Sequence, residues 1–293
     1  MTTPLVKLLV YGDPGSGKTY LCGTFTQCEE TAPVLVLNSR GQPITFNLFP
    51  ESPPCIYDIQ GMKDYNLPYE WVVRGQPWKA ILEGIDRDKP IPFCRTVYEY
   101  VLGQPGMDED FPRDDEHFHF EFKTIVLDSL TQTQRISMRE ITGDENKLPG
   151  DMPTATTYTH WGKSLGQLTL LADLYFQLPI HVVVTALRRH QFVESEGITM
   201  FYPFFWGQSA NELPAYAEIL GMLVNVESLP IQEAMGIKKA AQAADKPTPY
   251  NVMITRGGRT YRAKWQGVRN PPEMVANPTA ARLLAIMDPG RRG

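Results

Sequence analysis

The chain has 293 residues, 42% of them apolar, with 13 phenylalanines, 13 tyrosines and five tryptophans, enough for one large core or two modest ones and too much for a disordered chain. A formal net charge of −5 gives no global attraction for nucleic acid, so any such binding needs a local basic face. No apolar run is long enough to span a bilayer, no signal-peptide pattern is present, and the four cysteines (Cys22, Cys28, Cys55, Cys94) form no C-x-x-C pair, so they read as reduced cytosolic thiols rather than a zinc or disulfide framework.

The first predicted strand is the β-rich run Leu5–Tyr11, and it leads straight into GDPGSGKTY. Gly12, Gly17, Lys18 and Thr19 meet the G-x-x-x-x-G-K-[ST] spacing, and Thr19 opens a plausible helix that contains Gly23. The chemistry behind this spacing is specific. Glycines let the backbone of Gly12, Asp13, Pro14, Gly15, Ser16 and Gly17 turn tightly and aim N–H groups at phosphate oxygens. Lys18 reaches the β- and γ-phosphates, the Thr19 hydroxyl faces Mg²⁺, and Tyr20 completes the segment.

Further strands are expected at Pro33–Asn38, Cys55–Ile59, Lys123–Asp128 and Ile180–Ala186, most of them near-continuous apolar runs suited to parallel strands covered on both faces. Between the last two, His160–Leu178 carries leucines at helical spacing. The alternation predicts an α/β fold around a mainly parallel sheet. Asp128 ends its strand at the carboxyl edge, where ligands bind in such folds, and is the candidate second ligand of the Mg²⁺ site. Residues 60–120 read as a proline-rich irregular insertion ending in Gly106–Phe120, where six acids surround Arg113; with His117 and His119 a metal reading exists, but a solvated acidic loop is the simpler one. Pro230–Tyr250 reads as an Ala-rich linker or short helix, and Asn251–Trp265 as a β-hairpin turning at Gly257–Gly258. A C-terminal helix and tail occupy 276–293, with the last few residues frayed.

From the KTIVLDSLTQ run through HVVVTAL and YAEILGMLVNV to AKWQGVRNPPE, the order of segments resembles the RecA-like ATPase core, and in particular small phage-encoded RecA-like ATPases of the AAA or single-strand annealing type. The resemblance covers roughly residues 5–275 as one domain. It implies ATP and Mg²⁺ as cofactors, single-stranded DNA as partner, a homo-oligomer, contact with phage recombination or replication proteins, and a cytoplasmic location without membrane contact. It also implies that the Ile180–Ala186 strand lies between the P-loop and Asp128 strands, with Thr185 at the γ-phosphate sensor position. Lys147–Trp161 and Arg188–Glu212 would match the two DNA-binding loops. In the second loop Arg188, Arg189, Phe205 and Trp206 carry the cation-plus-aromatic chemistry that single strands require, unless the aromatic run is core or a subunit contact. Arg262, Lys264 and Arg269 become candidates for sensing a neighbouring subunit's nucleotide, against the alternative of a solvated basic hairpin.

The pattern departs from the family at the catalytic base. Ser129 follows Asp128, and Asn38, Ser39 or Arg40 stands where a glutamate could end the second strand, so ATP binding with weak turnover is expected. Arg40 reads equally as a phosphate contact or a surface arginine. With four residues before Leu5, the separate N-terminal oligomerisation domain of larger recombinases is not expected. Two other classes remain open: a nucleotide-gated scaffold with little hydrolysis, and a P-loop nucleotide kinase whose lid the RGGR segment (256–259) could imitate.

Overall fold

The computed structural model describes residues 4–39, 44–52, 54–58, 72–74, 123–143, 154–178, 180–205 and 209–288. Most of the 60–120 insertion with its acidic stretch, Arg40, Lys147–Pro153, Trp206 and the last five residues therefore lie outside the described part.

In chain order the first half provides β1 (Lys7–Gly12), α1 (Lys18–Gly23), β2 (Val34–Asn38), β3 (Cys55–Asp58), β4 (Val72–Arg74), β5 (Thr124–Asp128), α2 (Leu130–Thr142) and α3 (Tyr158–Gln177). The second half provides β6 (His181–Val193), β7 (Ile198–Pro203), α4 (Ser209–Tyr216), β8 (Ile219–Asn225), α5 (Ile231–Ala243), β9 (Asn251–Ile254), β10 (Lys264–Trp265), β11 (Met274–Ala276) and α6 (Ala280–Met287). The main sheet runs β11-β9-β8-β1-β6-β5-β2-β3-β4, with β10 also on β8 and β7 on β6. From β8 to β4 every pairing is parallel. As the RecA-like resemblance implies, β6 lies between β1 and β5.

Every residue of β1, β2 and β5 is buried, which explains why, apart from polar residues at their ends, their sequences are apolar without alternation. Successive β1 side chains feed two cores, one on each face of the sheet. Leu9 and Tyr11 join Leu168, Leu171 and Tyr175 of α3 and Leu213 of α4, whereas Leu8 and Val10 join Leu21, Phe25, Phe49 and Leu283 of α6. Helix α1 stops after a single turn and a half, at Gly23, and continues as a 3₁₀ segment over Thr24–Gln27. A Cβ on Gly23 would stand 2.0 Å from the Phe49 ring, so this position needs glycine for close packing rather than for flexibility.

Three expectations change. The Asn251–Trp265 hairpin does not form, because β9 and β10 do not pair with each other. Both run antiparallel to β8, with Asn251–Ile254 opposite Met222–Asn225 and Lys264–Trp265 opposite Ile219–Leu220. They share one side of β8, and residues 255–263 make an excursion between them. The excursion closes through Gly258 N–H to the Tyr261 carbonyl and lies against β7 through Phe201 N–H to the Thr260 carbonyl. Second, the described residues of Arg188–Glu212, expected as the second DNA-binding loop, form the outer half of β6, all of β7 and the start of α4. Third, Tyr158–Trp161, expected in the first DNA-binding loop, forms the first turn of α3, capped by the Thr157 hydroxyl.

A buried histidine joins the strands. His181 accepts the Val6 N–H at Nδ1 (2.9 Å) and is 3% exposed. Burial first, then the Lys7 and Lys123 charges, lower its pKa from 6.5 to about 4, with Glu30 opposing. Between those values the unfolded chain binds the extra proton, so stability present above pH 6.5 is lost as pH falls through 4, on the order of 3 kcal/mol. Denaturant titrations at pH 7 and pH 4 should show this loss in the parent and a flatter response in His181→Gln. An equally steep loss in the variant would assign the acid sensitivity elsewhere.

Candidate nucleotide site

The site is built at the carboxyl edge of the sheet, where β1 and β5 end on either side of β6. Beyond Gly12 the chain turns through Ser16 N–H to the Asp13 carbonyl (3.2 Å) and enters α1 at Lys18. Gly17 caps that helix at φ 90°, a left-handed conformation, and a Cβ there would stand 2.5 Å from Nδ2 of Asn251. The turn and the close approach both exclude a side chain.

Lys18 is 4% exposed, and its ammonium folds back to the Gly12 carbonyl (2.9 Å), the Asp13 carbonyl (2.7 Å) and the Ser16 hydroxyl (3.3 Å). Thr19 donates its hydroxyl proton to Asp128 Oδ2 (2.7 Å), and Thr185 donates to Asp128 Oδ1 (2.6 Å). The three residues thus come from α1, β5 and β6 and meet on one buried carboxylate. A hydroxyl oxygen with free lone pairs beside a carboxylate is a hard-oxygen donor set, suited to Mg²⁺ that keeps waters and takes phosphate oxygens as its remaining ligands. Among the described residues no group of three His, Cys, Asp or Glu side chains is placed to hold a metal ion.

Ser129 stands at the first station without a glutamate, and Asn38 and Ser39 are the described residues at the second. Ser39 N–H donates to the Asp128 carbonyl, the Ser39 hydroxyl donates to the Ser129 carbonyl (2.8 Å), and Ser129 N–H donates to the Ser39 hydroxyl (2.6 Å). Both serines are fully buried and brace the end of β5. Asn38 pairs in register with Asp128 on one side and Asp58 on the other.

Beside Gly15 and Gly17 opens a cleft of about 470 Å³ that also takes in Tyr20, Tyr250, Asn251 and Asn277. Tyr20 and Tyr250 are 44% and 65% exposed. The Asn277 side chain fixes the far wall by accepting the N–H groups of Tyr250 (2.9 Å) and Asn251 (3.1 Å). Asn251 and Asn277 carried no sequence signal of their own, because only the folding of β9 and β11 onto the P-loop side brings them there.

The other candidates are dispersed. Arg188 forms a two-point ion pair with Asp13 of the P-loop (Nε–Oδ1 2.9 Å, Nη2–Oδ2 2.5 Å). Arg189 donates to the Phe205 carbonyl and stacks over Tyr202. Phe205 itself is fully buried in the core, so as a base-stacking residue it is corrected. Arg262 and Lys264 do not form one basic face. Arg262 lies in the excursion with its guanidinium over Tyr202, while Lys264 begins β10 and donates to the Ala215 carbonyl (3.0 Å). Arg269 is exposed.

A glycine loop between a central parallel strand and a helix, its lysine aimed inward and its threonine on a neighbouring strand's aspartate, defines a nucleotide-binding P-loop domain of the ATPase class. The family comparison agrees: a model described as an AAA domain matches residues 5–264, and the chain belongs to that family. Among solved structures, the chain is similar to one described as a prototypical ATPase from the type III secretion system of pathogenic bacteria. The identity is 14% and the TM-score 0.37, over 78% of this chain and 52% of the other, so the match spans about half the length of that protein. No curated protein matches the chain. Among the described residues no helix is long and apolar enough to cross a membrane.

Proposed function

We propose that this AAA-domain protein binds Mg·ATP and uses the bound nucleotide to control its grip on single-stranded DNA, as one subunit of a homo-oligomer. The carrying observation is β6. Its inner half supplies Thr185 to Asp128, and the same 13-residue strand runs on without a break into the β6–β7 hairpin, where His190 and Phe192 are exposed beside Arg189. One rigid element therefore reaches from the nucleotide site to a cation-and-aromatic surface of the kind that holds a single strand. Glu194 and Glu196 make the hairpin tip acidic, so phosphates would follow the basic root. In this reading Thr19 and Asp128 hold Mg²⁺, which shields the phosphate charge, and Lys18 meets the β- and γ-phosphates. The cleft beside Tyr20 and Tyr250 takes the base. The resemblance to phage RecA-like ATPases supports recombination or replication as the setting, and Arg269, exposed after β10, is the best placed of the three candidates for reaching a neighbour's nucleotide.

Anisotropy of a labelled oligothymidine, measured at low salt, tests the DNA claim. Binding should strengthen with ATPγS over ADP and fall steeply with added salt; equal binding in all nucleotide states, or none, overturns it. A second reading, a nucleotide-gated scaffold, draws on Ser39 and Ser129, which stand near the stations of a catalytic glutamate, the Ser39 hydroxyl bonded to the Ser129 backbone. It predicts phosphate release well below the common ~1–10³ s⁻¹ range, raised by single strands if the DNA claim holds. Turnover on the order of tens per second without DNA would mean that a base acts from another position.

A further inference from the structure

We infer that Arg188 is a nucleotide-binding residue that contacts the terminal phosphate of ATP from within the same subunit, and that Asp13 holds it in reserve. The inference rests on the nucleotide reading above and assigns Arg188 to the P-loop rather than to DNA. Gly12 pairs in register with Leu187, so Arg188 is the first residue of β6 beyond the end of the P-loop strand. Its guanidinium grips both carboxylate oxygens of Asp13, the residue right after Gly12. The Asp13 carbonyl meanwhile accepts from Lys18 (2.7 Å). One loop residue thus engages two cations, the lysine through its backbone and the arginine through its side chain.

The Asp13–Arg188 pair is suited to exchange. Its side chains are 43% and 25% exposed, so solvent screens the attraction and a bound anion can reach the guanidinium. A triphosphate brings more negative charge than one carboxylate and offers pairs of oxygens that the planar guanidinium can take together. Lys18 has to leave the Gly12 and Asp13 carbonyls to reach phosphate, which frees the same residue at its other end.

Movement of Arg188 has a direct path outward. Its guanidinium lies 4.5 Å from the centre of the Phe201 ring on β7. Phe201 is clamped in turn: its N–H donates to Thr260, its carbonyl accepts from Arg262 N–H, and the Tyr11 hydroxyl of the P-loop strand donates to the Phe201 (3.3 Å) and Arg262 (2.6 Å) carbonyls. Withdrawal of the cation from Asp13 toward phosphate changes the support under Phe201, and with it the seating of the β6–β7 hairpin on the 255–263 excursion.

Calorimetry on the full chain, with Mg²⁺ and either ATPγS or ADP, tests the assignment. Arg188→Ala should weaken ATPγS about tenfold and leave ADP within about twofold, since one charge-assisted contact is lost with the terminal phosphate alone. Asp13→Asn should tighten ATPγS severalfold by releasing the arginine, and the double variant should lose that gain. Hydrogen exchange over 188–203 gives a second readout that does not depend on Arg188→Ala folding: ATPγS should change protection there in the parent, and Asp13→Asn alone should reproduce part of the change. Equal weakening of both nucleotides by Arg188→Ala, or an unchanged ATPγS-to-ADP ratio in Asp13→Asn, overturns the inference while leaving the P-loop reading intact. A folded parent that binds neither nucleotide overturns both.

Discussion

Replacing Lys18 with alanine is expected to weaken Mg·ATP binding by two to three orders of magnitude, on the order of 3–4 kcal/mol, with little change in thermal stability. The ammonium is buried and already points into the loop, toward the Gly12 and Asp13 carbonyls and the Ser16 hydroxyl. Nucleotide binding exchanges those neutral acceptors for phosphate oxygens, and charge-assisted bonds to phosphate contribute roughly twice what neutral ones do. Loss of the side chain therefore costs more in the complex than in the free protein. Should lysine serve only to pin the loop, the ordering reverses: Lys18→Ala would lower the melting temperature while ATP affinity stayed that of the parent. Calorimetry and thermal melts on the same preparation separate the two cases.

The parts of this site that could be read in advance are those in which local sequence and tertiary role coincide. The Gly12–Thr19 spacing is dictated by backbone contact with phosphate, and Asp128 ends a strand that carries the apolar run Ile125–Leu127. The errors fall where tertiary pairing overrides a local signal. Gly257–Gly258 between two β-rich runs has the form of a hairpin turn, yet the open side of β8 offers both runs a longer partner than each offers the other. The expectation of a loop at Arg188–Glu212 comes only from the family resemblance, which carries no information on local strand pairing. In the structure Phe205 goes inward to the core while Phe192 and His190 stay outward on a strand that has left the sheet. The partnership of Arg188 with Asp13 links residues 175 apart, and spacing carries no trace of it.

Asp128→Asn is expected to abolish the Mg²⁺-dependent part of ATP affinity and to lower any phosphate release about a thousandfold, on the order of 4 kcal/mol, while ATP binding in EDTA stays near the parent's. Asparagine matches aspartate in shape, so the Thr19 and Thr185 hydroxyls, 2.7 and 2.6 Å away, keep one acceptor between them. What goes is the negative charge and one of the two acceptor oxygens. The carboxylate is 4% exposed, and hydroxyl donation from Thr19 and Thr185 is set against the cost of keeping an anion out of water. The variant should therefore melt no earlier than the parent, and a higher melting temperature would fit a site kept charged for its ligand rather than for its fold. A second effect follows for Cys22, whose thiol is pushed up by burial first and by the Asp128 charge next. Removing that charge lowers its pKa, though burial keeps the thiol protonated at neutral pH. The decisive comparison is a Mg²⁺ titration of ATP affinity in both proteins. A variant whose affinity rises with Mg²⁺ as steeply as the parent's would remove Asp128 from the metal site and leave it as a brace between Thr19 and Thr185.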